Sequence, residues 1–256
     1  MKKHLFFAYF FVCTLQLSAQ KNQEEILIAS FLELNSKETN EDEVALNQAV
    51  QKFDEQLIYT LENYDITSFK TFEKGLDSLY TDFSVKKAET GNFELFTLRN
   101  GFDRWNYVLK DKKVVMKALK TFDYFYEIHT LSNNEFLLIK RMDEMSFSCF
   151  EAFVYHQNLH NSKPKTNILG NKVLSVCSWT NVDESYPGKT DPETGLQTVE
   201  GGLKIYEPLE IKFNPKKKNI YYTFYRLKDG KKITRKAKYR NGSFKIKSYD
   251  ARTFEE

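Results

Sequence analysis

The residues whose types and spacing could do chemistry are few. His156 and His160 stand four apart in the run His156-Gln-Asn-Leu-His160, the spacing that brings two imidazoles together on a helix, as zinc sites often require. The glutamate of a zincin motif is missing between them, and the run leaves a strand-like segment for Asn161-Ser-Lys-Pro164. A solvated loop is therefore the preferred reading, and no metal is expected. Asp183, Glu184, Asp191 and Glu193 offer oxygen ligands of the kind calcium takes, but their spacing matches no EF-hand and an ordinary polar loop is the default. Glycosidase chemistry needs two carboxylates across a cleft, which Glu127, Glu135, Asp143, Glu144 and Glu151 could supply. Any β-protein has such candidates. No Gly-x-Ser-x-Gly elbow, phosphate-cradling glycine loop or zincin helix occurs. No catalytic residue is assigned, and no cofactor is expected.

Cations give a clearer pattern. Residues 21–90 carry 7 basic and 15 acidic side chains, whereas residues 203–256 carry 16 basic and 6 acidic. In the final segment Lys236, Lys238, Lys245 and Lys247 alternate with Ala237, Tyr239, Phe244 and Ile246, so a strand pair there presents a packed face and a basic one. Lys216-Lys-Lys218 lies nearby, and Tyr221, Tyr222 and Tyr225 are interleaved. Lysine supplies charge and tyrosine can stack on sugars or bases. The expected partner is an anionic envelope glycan, a lipid head group or an acidic protein. Nucleic acid is not expected in an exported compartment. The default reading of the patch itself is a solvated face that resists edge aggregation.

Export is read from the first twenty residues. Met1-Lys-Lys3 precedes an apolar run of 11 residues, Leu5 to Leu15, and Gln16-Leu-Ser-Ala-Gln20 follows. That is signal-peptide order; a helix crossing the bilayer needs about 20 apolar residues. Cleavage is expected after Ala19 or Gln20. Cys13 follows Phe10-Phe-Val12, with no small residue before it, so lipoprotein processing is not expected. A periplasmic or secreted product without a transmembrane span follows. Cys149 and Cys177 remain, both in apolar strand-like runs, and the compartment permits a disulfide between them. Two buried thiols packing as small hydrophobes is the alternative.

The elements that must position these groups change period near residue 90. Leu46, Val50, Phe53, Leu57 and Leu61 recur at helical spacing after Asn40 to Glu43, a capping box. Phe69, Phe72, Leu76, Leu79, Tyr80 and Phe83 form a second stripe, which Asp65 can cap. A shorter helix is expected near Glu25 to Leu34. From about Gly91 the period is two, with eleven candidate strands, and the stretch Asn181 to Gly202 is the longest expected loop. Asp229-Gly230 and Asn241-Gly242 are type I′ turn dipeptides, specifying a three-stranded meander at the C-terminus.

The residues Ile211 to Tyr222, Lys228-Asp-Gly230 and Tyr239 to Phe244 resemble the C-terminal meander of uncharacterised exported Gram-negative β-rich proteins. The resemblance covers about a fifth of the chain; it implies an envelope β-fold and carries no activity. The sequence thus predicts an α+β protein: a signal peptide over 1–20, a helical region over 21–90, and a mainly antiparallel β-domain over 91–256. That domain is expected as a curved sheet or an incomplete propeller. The expected function is non-enzymatic binding or scaffolding through the β-surface, with a carboxylate-dependent, glycosidase-like hydrolase as the rival.

Overall fold

The computed structural model describes residues 2–38, 42–77, 81–89, 91–144, 147–156, 174–179, 189–190, 197–198, 209–225 and 232–244. Three helices at the N-terminus precede antiparallel sheets that are open rather than closed. The chain forms two compact units, one of residues 1–87 and 92–120, the other of residues 88–91 and 121–256. The division falls near residue 120 rather than at 90, because the first four strands build their core with the helices.

In the first unit, α1 (Lys2–Glu38), α2 (Glu43–Asn63), a 3-10 turn (Ile66–Ser68) and α3 (Lys70–Asp77) lead into four strands. These are β1 (Thr81–Lys87), β2 (Phe93–Asn100), β3 (Asp103–Lys110) and β4 (Lys113–Thr121), paired in that order. Asp42 caps α2, its Oδ1 accepting from the Ala45 N–H at 3.0 Å, which satisfies one of the orphan donors at a helix start. Asp65 caps the 3-10 turn through the Thr67 N–H at 3.1 Å. The start of α3 is capped from another helix: buried Glu24 of α1 accepts from the Phe72 N–H at 2.8 Å.

One core joins these elements. Leu27, Phe31 and Leu34 of α1 meet Phe53, Leu57 and Leu61 of α2, Phe69, Phe72 and Leu76, and the sheet residues Phe96, Leu98, Trp105, Tyr107 and Leu109. Phe53 packs edge-on to Trp105, ring centroids 5.1 Å apart. Truncating either ring to alanine costs about 3–5 kcal/mol, the range for buried aromatics.

The helical region expected to residue 90 ends at Asp77. Phe83 fits the stripe of α3 by spacing, yet it also alternates with Thr81 and Val85, and β1 pairs with β2 along its whole length, Phe83 opposite Leu98. Phe83 stacks between Phe72 and Phe96 at centroid distances of 6.0 and 5.7 Å, so the same ring serves the helical stripe and the sheet. Sheet pairing wins because it satisfies the backbone donors that a short helix leaves open.

The second unit holds β5 (Asp123–Ser132), β6 (Glu135–Glu144), β7 (Phe147–His156) and β8 (Leu174–Trp179), hydrogen-bonded in sequence order. A two-stranded ladder of β9 (Lys189–Thr190) and β10 (Gln197–Thr198) follows. The last sheet runs β11 (Ile211–Asn214), β12 (Asn219–Tyr225), β13 (Lys232–Arg240) and β14 (Ser243–Phe244), again in order. Leu137, Ile139, Phe150, Ala152, Val154, Leu174 and Val176 from β6–β8 share a core with Ile211, Ile220, Tyr222, Phe224, Ala237 and Phe244 from β11–β14. Two four-stranded sheets therefore bury one face each against the other.

Candidate functional site

Within the last sheet, strand alternation sorts side chains onto two faces. Ile211, Tyr222 and Phe224 go into the core with Ala237 and Phe244. Ile233 and Tyr239 pack partly buried against it. The opposite face is ordered by register. Lys212 pairs with Tyr221 and Tyr221 with Lys236, so these three form a row across β11, β12 and β13. The next row is Asn214, Asn219 and Lys238. On the other side Thr223 and Thr234 pair, their hydroxyls 3.1 Å apart. Lys236 and Lys238 are exposed.

Tyr222, expected on this basic face, is only 1% exposed and belongs to the core. Its phase is that of Ile220 and Phe224, and it pairs with Ile211 on one side and Arg235 on the other. Tyr221, half-buried, is the aromatic residue that shares the row of Lys212 and Lys236. Lys245 and Lys247 lie outside the described residues, as does the Asp229-Gly230 turn. Asn241 and Gly242 have φ of 51° and 76°, the left-handed values of a type I′ turn, and they close the two-residue link from Arg240 to Ser243.

Lys212 was missed by sequence reasoning, though its alternation with Ile211 and Phe213 carried the signal. Its ammonium contacts Glu210 Oε1 at 2.5 Å. The hydrogen bond and the charge of Glu210 raise its pKa above the ordinary lysine value. The pair is well exposed, and such pairs contribute little to stability.

The carboxylates proposed for hydrolysis go to separate partners. Glu127 meets His129 Nε2 at 3.0 Å, and the His129 ring lies against Phe213, centroids 4.8 Å apart. Glu135, 6% exposed, accepts from the Tyr239 hydroxyl and has His156 Nδ1 at 3.9 Å from its other oxygen. Asp143 accepts from Tyr124, Arg141 and Ser148 at 3.0, 2.9 and 2.6 Å. Glu151 stands opposite Lys140 in the ladder, and Lys140 pairs with Asp123 at 2.8 Å. Burial raises the Glu151 pKa, the Lys140 charge opposing and Asp123 adding to the shift. The backbone of Glu144 ends β6.

No family model matches this chain, and no curated protein does.

Among the described residues no three His, Cys, Asp or Glu side chains gather to hold a metal. His156 ends β7; His160 and the carboxylates Asp183, Glu184, Asp191 and Glu193 lie outside the described residues. Cys149 and Cys177 stand opposite each other in the β7–β8 ladder and are joined by a disulfide. No helix among the described residues is long and apolar enough to cross a membrane.

Proposed function

We propose that this chain is an exported, non-enzymatic envelope protein that holds an anionic partner on the outer face of its C-terminal sheet. The observation that carries the reading is the register row Lys212, Tyr221, Lys236, with Lys238 beside it. The opposite side of the same strands fills a core, so the row is held on a fixed backbone and little ordering is lost on binding. Lysines two residues apart on one strand, and one aromatic ring between lysines of neighbouring strands, suit a partner with spaced negative charge.

Two features support export. The leader of Met1 to Gln20 has signal-peptide order, and a bonded cysteine pair fits an oxidising compartment. Cleavage after Ala19 or Gln20 leaves Leu27, Phe31 and Leu34, the described α1 side chains that enter the core, in place.

Lys236→Gln with Lys238→Gln tests the reading. Capture of anionic ligands by the mature protein should fall about tenfold, the loss of a few exposed charge contacts, and should weaken steeply with salt. Capture that ignores both the lysines and the salt removes this function. N-terminal sequencing of the exported protein tests the address, with Gln20 or Lys21 expected first.

A further inference from the structure

The spacing of the basic row narrows the class of partner. We infer that the outer face of β11–β13 is a subsite for an acidic polysaccharide whose charge falls on alternate sugars, one ring stacking on Tyr221 between Lys212 and Lys236. This rests on the function proposed above and names its ligand.

Neighbouring strands lie about 4.8 Å apart, so Lys212 and Lys236, two strands apart on either side of Tyr221, have backbones separated by roughly 9.6 Å. Along β13 the distance from Lys236 to Lys238 is about 7 Å. A pair of cations with a flat ring midway is the complement of a chain in which two anionic groups flank a neutral pyranose. The ring's face takes the C–H side of that sugar, and the ammonium groups take the flanking carboxylates or sulfates.

The neighbouring rows offer polar groups to the sugar's hydroxyls: exposed Thr234 on one side, its hydroxyl held by that of buried Thr223 at 3.1 Å, and half-buried Asn214 on the other. Glu210, paired with Lys212 at 2.5 Å, sets a limit on charge. That ion pair must open for any anion to reach Lys212; a ligand charged at every unit would in addition set an anion over the negative face of the Tyr221 ring, where an alternating one sets a neutral sugar. A membrane surface fits less well, because interfacial binding depends on buried apolar area. The exposed described positions in this phase, Lys212, Lys232, Thr234, Lys236, Lys238 and Arg240, are all polar. Among the described residues, the large exposed apolar side chains Ile26, Leu32, Val44, Tyr59, Phe102 and Phe122 lie elsewhere in the chain.

The test is calorimetric titration of the mature protein with four probes: hyaluronan oligosaccharide, charged on alternate sugars; polygalacturonate, charged on every sugar; poly-glutamate; and phosphatidylglycerol vesicles. Hyaluronan should bind about tenfold more tightly than polygalacturonate of equal length. Tyr221→Leu, which keeps an apolar side chain but no ring face, should cost about tenfold, as one stacking contact does, while Tyr221→Phe retains binding. No hyaluronan binding, or binding insensitive to Tyr221→Leu in a variant that melts as the parent does, overturns the inference. If poly-glutamate or vesicles bind through Lys236 and Lys238 while hyaluronan does not, the glycan subsite fails and the basic-face function stands. If none of the four binds, both fail.

Discussion

Tyr107 of β3 donates its hydroxyl hydrogen to Asp54 Oδ1 of α2 at 2.7 Å, inside a core where Tyr107 has no exposed surface and Asp54 is 5% exposed. Lys117 of β4 reaches the other oxygen of the same carboxylate. A helix and two strands are thus tied at one buried point, with the negative charge met from both sides.

That tie gives a pH dependence with a definite sign. Burial, followed by the charge and the hydrogen bond of Asp54, pushes the Tyr107 pKa well above its ordinary value. Below about pH 10 the phenol is protonated in both the folded and unfolded chain. Above it, the unfolded chain loses the proton first, so stability falls as pH rises. Tyr107→Phe should cost about 1–3 kcal/mol at neutral pH, the range for leaving a buried acceptor short of a donor. The gap between parent and variant in urea unfolding should narrow above pH 10; a constant gap would remove the assignment.

The β3–β4 link can be improved. Asp111 and Lys112 have φ of 50° and 62°, the left-handed region that a type I′ turn requires at both central positions and that glycine enters without its side-chain clash. Lys112→Gly should raise stability by about 0.5–1 kcal/mol, read as a higher denaturant midpoint with an unchanged slope. A lower midpoint would show that this turn does not hold that backbone in solution.

Two adjacent tyrosines should behave oppositely. Tyr222→Ala empties a core site and should destabilise by about 3–5 kcal/mol. Tyr221→Ala should change stability by less than about 1 kcal/mol. Equal losses in thermal melts would place both rings in the core.

Much of this sheet was legible beforehand. The β13 phase showed in the alternation of Lys236 and Lys238 with Ala237 and Tyr239, because charge marks one side and bulk the other. The β12 phase did not, since Ile220-Tyr-Tyr-Thr-Phe224 is apolar or aromatic in both phases. Register resolves it: a two-residue turn at Asp229-Gly230 would set Tyr222 opposite Ala237, and the observed ladder sets it opposite Arg235, which is the same face. Residues 81–87 were misread for a related reason, Phe83 satisfying a period of 3.6 and a period of 2 together. The links Glu24 to Phe72 N–H, Asp54 to Tyr107 and Glu135 to Tyr239 were out of reach, because they join residues 48, 53 and 104 apart and no local pattern encodes such pairs.

The Cys149–Cys177 bond spans 28 residues. On the chain-entropy model, closing such a loop stabilises by about 3–4 kcal/mol. Reduction with dithiothreitol should lower the parent's unfolding free energy by that amount, read as a lower denaturant midpoint, and leave the Cys149→Ser, Cys177→Ser double variant unmoved. Equal response of both proteins would show the thiols unbonded in solution.

Among the described residues, each of the three four-stranded sheets runs through its strands in chain order, so each of their ladders joins consecutive strands. Loop-closure cost rises with the length of chain that must be gathered before a contact forms. Here a segment fed out end first finds its mate already waiting, and one sheet can zip shut while the following one is still being threaded. Such a plan needs no late arrival from the far terminus to staunch an open edge.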